Sequence, residues 1–456
     1  MGTYEPKIIA FLCTWCSYTG ADSAGTARLK SPWNIRAIRV PCSGRVSPEL
    51  VMRAFDQGAD GVIVLGCHIG ECHYETGNHR AAKRIPILKS LLEFVGLEPE
   101  RLRLDWVSAS EGERFANIVT DFTEDIKALG PIHWKEGDRV PGDFYPTFDF
   151  SSSGNGGEQP PEIPQDWDKA TQEIRDTART LLTNQEVDCV IGYEVGPRGW
   201  TRPTFIQDPE DVDRLVWNSH CTHNLTRYLR EMVSGNGQEE QRVAVVVKPC
   251  DSKSLNVLLA NNKFTADQIH AIGVICPGIQ EGAGFGKGDR TTLQERCLHC
   301  GERIPLVYDT LIGDPQSVPD FEVSSRGDYL ESWSGLEPAE RMEFWLSQFN
   351  RCIRCYACRD ACPVCDCSPC LYERDDSLWT GMNISLDQKR TFHLGRAYHL
   401  AGRCVGCDEC VRVCPMDIPI NLLNEKLSQE IQSAFDYHPG FNTLPSPLTT
   451  VLDQEN

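Results

Sequence analysis

Two short runs of cysteine carry the first chemistry in this chain. Cys352, Cys355, Cys358 and Cys362 stand in CIRCYACRDACP, and Cys404, Cys407, Cys410 and Cys414 in CVGCDECVRVCP. Each run is C-x2-C-x2-C-x3-C-P, a spacing that puts three thiolates around one iron–sulfur cube and sends the fourth to the other cluster. Two such runs in tandem point to a pair of 4Fe–4S clusters. By that rule Cys352, Cys355 and Cys358 take Cys414 as fourth ligand, and Cys404, Cys407 and Cys410 take Cys362. Pro363 and Pro415 close the runs by stopping the following helix. Zinc is the competing reading, since C-x2-C pairs also build zinc ribbons, but it leaves the third cysteine of each triplet unexplained. The first run continues directly into CDCSPC. Cys365, Cys367 and Cys370 are therefore candidates for a substitute ligand, for a further metal site, or for thiols packed beside the cluster.

A second group of thiols depends on a sheet to bring it together. KIIAFLC (7–13), IRAIRV (35–40), GVIVLGC (61–67) and RLRLDWV (101–107) are short apolar runs closed by turn residues, the pattern of buried strands. Helical patterns lie between them: one starting at Ser47-Pro48 with Leu50, Val51, Ala54 and Phe55 on its apolar face, then 78–95 and 111–128. This alternation predicts a parallel sheet with helices on both faces, a doubly wound, flavodoxin-like α/β unit. Cys13 and Cys16 follow the first strand, Cys42 the second, and Cys67 and Cys72 the third. Ligand sites in such sheets lie beyond the carboxyl ends of the strands, so five thiols are expected on one rim. His68 and His73 flank two of them as supporting donors or as ligands.

Residues 136–165 are rich in Ser, Gly and Pro and read as a flexible connector, which would let the first domain dock separately. Alternation resumes over 166–345, an α/β middle domain. Helical patterns at 168–183 and 209–232 bracket VDCVIGY (187–193), and RVAVVVK (242–248) and IHAIGVIC (269–276) are further strands. Cys250 and Cys276 follow strands, and Cys297 and Cys300 form a C-x2-C pair, four candidate ligands for another cluster. Cys189 and Cys221 have no partners in sequence and read as small buried apolar residues. No G-x-G-x-x-G follows a strand here, so the glycines of 278–289 are the only sequence hint of an FAD phosphate site.

The whole chain sets the bounds. Its 456 residues suit roughly three domains. Its 45 basic against 65 acidic residues, a net charge of −20, argue against nucleic acid as a partner. No apolar run reaches the ~18–20 residues of a membrane span, and the N-terminus carries no basic region or cleavage site of a secretory leader. Twenty-two cysteines in ligand-like clusters indicate reduced thiols on metal, hence a cytoplasmic setting, rather than a disulfide framework.

Three stretches, FLCTWCSYTGADSAG, VPCSGRVSPELVMRAF and LGCHIGECHYETGNHRA, resemble the delta subunit of methyl-viologen-reducing hydrogenase over residues 6–130. The resemblance implies a 2Fe–2S cluster on four of Cys13, Cys16, Cys42, Cys67 and Cys72. It also implies electron exchange between a hydrogenase or another dehydrogenase and the flavin subunit of a heterodisulfide reductase. The middle region resembles beta subunits of deazaflavin-linked hydrogenases and formate dehydrogenases, implying a third 4Fe–4S cluster on Cys250, Cys276, Cys297 and Cys300, and in some members FAD. The insert of about 371–401 between the cysteine runs places the bacterial two-cluster ferredoxin-like C-terminal domain near the fused modules of heterodisulfide-reductase-like proteins. The expected division is 1–135, 136–165, 166–345 and 346–456. The expected role is an iron–sulfur electron-transfer subunit of a hetero-oligomeric, electron-bifurcating anaerobic complex. The alternative is a flavin-containing catalytic subunit that oxidises or reduces a deazaflavin or nicotinamide.

Overall fold

Four strand-forming runs pair to satisfy their main-chain groups; those at 7–13 and 61–67 are buried on both faces, whereas the run at 35–40, expected as buried, is a largely exposed edge. The computed structural model describes residues 4–134, 163, 166–197, 199–233, 241–280, 293–319, 327–374, 380–381 and 383–450. Strands β1 (Ile8–Cys13), β2 (Ile35–Val40), β3 (Gly61–Gly66) and β4 (Leu102–Trp106) form an all-parallel sheet in the order β2-β1-β3-β4. The connecting helices are α1 (Ser17–Thr26), α2 (Pro48–Asp56), α3 (Gly77–Phe94) and α4 (Gly112–Leu129). The two-residue pleat sends Ile8, Ala10 and Leu12 to the face covered by α1 and α4, with Ala24, Val119 and Phe122. It sends Ile9 and Phe11 to the face covered by α2 and α3, with Val51, Phe55, Leu88 and Leu91. Pro48 opens α2 with its fixed φ, and Ser47 precedes it in extended conformation without a side-chain cap bond. Helix α1 has no counterpart in the sequence reading: SYTGADSAGT offers only Ser17, Gly20 and Ala24 to the core, too small an apolar stripe to register.

The middle region builds a second sheet. It comprises α5 (Trp167–Thr183), β5 (Cys189–Val195), β6 (Thr201–Ile206), α6 (Leu229–Val233), β7 (Val243–Val247), α7 (Pro249–Ala260), β8 (Ile269–Val274), α8 (Glu295–Leu298) and β9 (Thr310–Ile312). The order is β6-β5-β7-β8-β9, with β6 antiparallel to β5 and the remaining pairs parallel. Strand β6 escapes a reading by apolar runs because it is a half-exposed edge that carries Pro203. The helix expected over 209–232 is instead a 3-10 turn at Pro209–Arg214, irregular chain, a second 3-10 turn at Leu225–Tyr228, and the short α6. The physical reason is local competition: Asp208 and Asn224 bond their own downstream N–H groups and close tight turns.

The C-terminal region is helical: α9 (Gly327–Ser334), α10 (Pro338–Arg351), α11 (Ala357–Asp360), α12 (Leu386–His399), α13 (Glu409–Arg412) and α14 (Asn421–Phe435). It does not leave the first domain to dock on its own. Trp333, Phe344, Trp345, Phe349, Leu394, Tyr398 and Leu427 share one apolar core with α2 and α3. Buried polar ties reinforce the contact. Asp56 accepts from Trp134 Nε1 (2.9 Å) and Thr391 Oγ1 (2.9 Å) and pairs with Arg390. Glu49, 1% exposed, accepts from Tyr372 (3.1 Å) and pairs with His399 at 2.8 Å. Residues 135–162, which hold nearly all of the proposed connector, lie outside the described residues, as do 281–292, which hold most of the glycine-rich stretch.

Candidate metal centres

The sheet of the first domain does gather the five thiols at the carboxyl ends of its strands. Cys13 ends β1, Cys16 precedes α1, Cys42 follows β2, and Cys67 and Cys72 lie between β3 and α3. Cys13 Sγ lies 3.9 Å from Cys67 Sγ, and Cys42 Sγ 3.9 Å from Cys72 Sγ. Two thiolates on one tetrahedral metal at ~2.3 Å stand about 3.8 Å apart, so each pair has the spacing of ligands that share a metal. Cys16 completes a triangle with Cys13 and Cys67, all within 4.8 Å. Hydrogen bonds from Cys13 and Cys16 pull the Cys67 thiol down to about 4, and those with Cys16 and Cys42 pull Cys13 down to about 7; Cys16 is pushed up by the same contacts. The crowding thus pulls Cys13 and Cys67 down while it pushes Cys16 and Cys42 up. Gly77 supplies the room: a Cβ there would meet Cys42 Sγ at 2.0 Å. His68 is occupied by Glu111 at 2.6 Å, and His73 stacks on Trp15 with ring centroids 3.7 Å apart.

The two C-terminal runs fold alike. In the first, Arg354 and Tyr356 have φ of 52° and 61°; in the second, the matching Gly406 and Asp408 have 66° and 52°. Each pair of left-handed residues curls the chain so that main-chain N–H groups point inward, a concavity suited to anions. Arg354 N accordingly donates to Cys352 Sγ at 3.3 Å, and Gly406 N donates to Cys404. The helices α11 and α13 then present Cys358 and Cys410.

Two small cavities result. Cys352, Cys355, Cys358 and Cys414 line the first, with Phe392 and His393; Cys362, Cys404, Cys407 and Cys410 line the second, with Arg396 and Leu400. The fourth cysteine of each run thus lies in the other run's cavity. Burial pushes Cys358 up to about 11 and Cys404 up to about 12, so a bare thiolate is disfavoured there and a cation must accompany it. Polar atoms on the cavity walls bear on what fits. Arg354 Nε and His393 Nε2 border the first cavity and Arg396 Nε the second, all buried and without a partner among the described residues. Such atoms are costly beside an apolar void, but are satisfied by thiolate and sulfide acceptors. The residues fit clusters.

Cys365, Cys367 and Cys370 line neither cavity. Cys365 packs with Cys362 and Cys404, Cys370 packs beside Cys352 and Tyr372, and Cys367 is exposed.

In the middle region Cys250 sits in the first turn of α7, Cys276 follows β8, Cys297 lies in α8, and Cys300 follows it. Their thiols interact electrostatically, Cys276 with Cys297 and Cys300, and Cys250 with Cys276. Burial pushes Cys276 up to about 12. Ile279 N donates to Cys297 Sγ at 3.3 Å. Two buried cations flank the group and were not foreseen. Lys248 Nζ donates to Asp251 (2.8 Å), to the His223 carbonyl (2.6 Å) and to Tyr193. Arg296 Nη1 donates to the Cys407 carbonyl (2.8 Å) and Glu409 (2.6 Å), tying this group to the second C-terminal cavity. Their position beside Cys250 and Cys297 in the chain was the available signal, but a cation next to a cysteine is common on any surface. Cys189 and Cys221 are fully buried core residues.

Residues 8–130 match the model of the methyl-viologen-reducing hydrogenase delta subunit, and 348–418 that of a 4Fe–4S dicluster domain. An iron-sulfur subunit of the F420-non-reducing hydrogenase of Archaeoglobus profundus is 49% identical over 132 residues, 29% of this chain and 96% of that protein. A subunit of the ferredoxin/F420H2-dependent CoB-CoM heterodisulfide reductase of Methanosarcina acetivorans is 51% identical over 139 residues, 30% of this chain and 18% of the relative. No helix among the described residues is long and apolar enough to cross a membrane. The thiol rim and its matches place the first domain in the methyl-viologen-reducing hydrogenase delta-subunit family, joined here to a 4Fe–4S dicluster domain, and the chain is an iron–sulfur electron-transfer subunit.

Proposed function

We propose that this chain relays electrons between a hydrogenase, formate dehydrogenase or other dehydrogenase and the flavin subunit of a heterodisulfide-reductase-like, electron-bifurcating complex in the cytoplasm of an anaerobe. The observation that carries the reading is the exchange of fourth cysteines between the two C-terminal cavities. The relatives, components of hydrogenases and heterodisulfide reductases by name, support the partners. The strand order β2-β1-β3-β4 supports a flavodoxin-like first domain.

On this reading the first domain holds one 2Fe–2S cluster, the middle domain one 4Fe–4S cluster on Cys250, Cys276, Cys297 and Cys300, and the C-terminal domain two more. Bound clusters supply one-electron redox chemistry. The protein's part is to hold thiolates at fixed spacing, exclude water with Phe392, Leu400 and Ile418, and set potentials through buried charge and N–H donors. Arg296 supports a sequence in which the middle centre exchanges electrons with the second C-terminal centre.

Iron and acid-labile sulfide measured on anaerobically purified protein should come to roughly 14 iron atoms per chain, from three 4Fe–4S and one 2Fe–2S. Four or fewer would exclude the relay. Affinity capture of the native complex should bring down a flavoprotein together with a dehydrogenase or hydrogenase; their absence would remove the proposed partners.

A further inference from the structure

Carboxylates hold several of the buried arginines in and around the C-terminal region. Arg390 pairs with Asp56, Arg403 with Asp366, and Arg296 with Glu409. Arg354 has no such partner among the described residues, but it borders the first cavity alone and is held by the Gly381 and Asn383 carbonyls at 2.8 and 2.6 Å. Arg396, on α12 and only 4% exposed, also has no ion-pair partner among the described residues. A buried guanidinium without a counter-charge costs several kcal/mol, so its surroundings must supply one. The ionisable groups that act on it most are the cysteines Cys362, Cys358, Cys410 and Cys365. Its geometry is specific. Nη2 donates to the main-chain carbonyl of Cys358 at 2.9 Å, at the edge of the first cavity. The side chain also lines the second cavity, and its Nε is buried there without a partner.

We infer that Arg396 is a positioning residue shared by the two C-terminal clusters, one cation whose charge and N–H donors set both reduction potentials together. A reduced cluster carries one more negative charge than an oxidised one, so a cation held between two clusters favours the reduced form of each. Because guanidinium is charged at any working pH, the bias is constant. The inference rests on the crossed ligand sets proposed above.

The test is an EPR-monitored redox titration of full-length protein carrying Arg396→Gln or Arg396→Lys, with iron and sulfide counted for each. Signals of the two clusters are identified by their loss in Cys352→Ala and Cys404→Ala chains. Arg396→Gln should retain iron and move both midpoints to more negative potential. Arg396→Lys, which keeps the charge but loses Nε and the planar fork, should move them less. Loss of iron from the Gln variant alone, with the Lys variant titrating near the parent, supports the same role, since Lys keeps the cation that Gln lacks. Midpoints that stay put, a shift confined to one cluster, or equal loss of iron from both variants would overturn it. A parent chain without two 4Fe–4S clusters would instead defeat the ligand sets, a separate result read from the same iron counts.

Discussion

At the rim of the first domain, the absent side chain of Gly77 matters as much as the thiols. Its missing Cβ would stand 2.0 Å from Cys42 Sγ and 3.3 Å from Cys72 Sγ, so a side chain there would push the Cys42 sulfur out of the place it holds. On the proposed cluster content, Gly77→Ala should therefore strip a first-domain 2Fe–2S cluster, seen as a loss of about two iron atoms per chain with the C-terminal centres retained. The crowded end of the first cysteine run allows a second test. Cys362 lines a cavity and Cys365 does not. Cys362→Ala should abolish one 4Fe–4S EPR signal, and Cys365→Ala should leave both; the reverse outcome would reassign the fourth ligand. The two C-terminal cysteine runs were legible in the sequence because their spacing is regular, and the first-domain thiols because each follows a strand. Gly77, Arg296 and Arg396 were not legible, because each acts on sulfurs that only the folded chain brings near it.

Among the elements, α12 has the largest role. It was visible in sequence only as part of a long insert, yet it lines both cavities through Phe392, His393, Arg396 and Leu400 at its end, and its Arg390 and Thr391 reach Asp56 of α2. Its residues from Gln388 to Tyr398 are all buried, so it has no amphipathic stripe to announce it. Asp56→Ala should remove the buried carboxylate that Arg390 pairs with, at a cost of about 3–5 kcal/mol. The measurable result is a lower Tm and earlier proteolytic cleavage between the first domain and α12. Unchanged Tm would mean that the apolar core alone holds the contact. Most strands were legible as apolar or β-branched runs, the exposed edge β2 among them, whereas β6 and β9 were not, one a half-exposed edge with proline and the other three residues long.

Across the whole molecule, three regions are held together by polar ties that pass from one to the next. Arg296 reaches Cys407 and Glu409, Asn256 donates to the Gly440 carbonyl at 2.9 Å, and Lys263 and Arg403 converge on Asp366. On the other side, α10, α12 and α14 share the core of the first domain. From composition, residues 136–165 read as a connector that would let the first domain dock separately, because long-range pairing leaves no local pattern.

The Arg296 tie has a kinetic meaning. A carrier that swings a domain between donor and acceptor slows as the solvent thickens, since the arm must be dragged through it. Here the guanidinium anchors the Cys297 turn directly to the peptide of Cys407 and to the Glu409 carboxylate, so the two sulfur nests keep a fixed separation. On the proposed relay, transfer between these centres needs no moving domain, and its delays fall at the outer contacts. Adding glycerol should leave flash-initiated transfer between the middle and C-terminal centres unchanged while slowing exchange with a diffusing partner. In an Arg296→Leu chain the internal step should become slower and sensitive to viscosity.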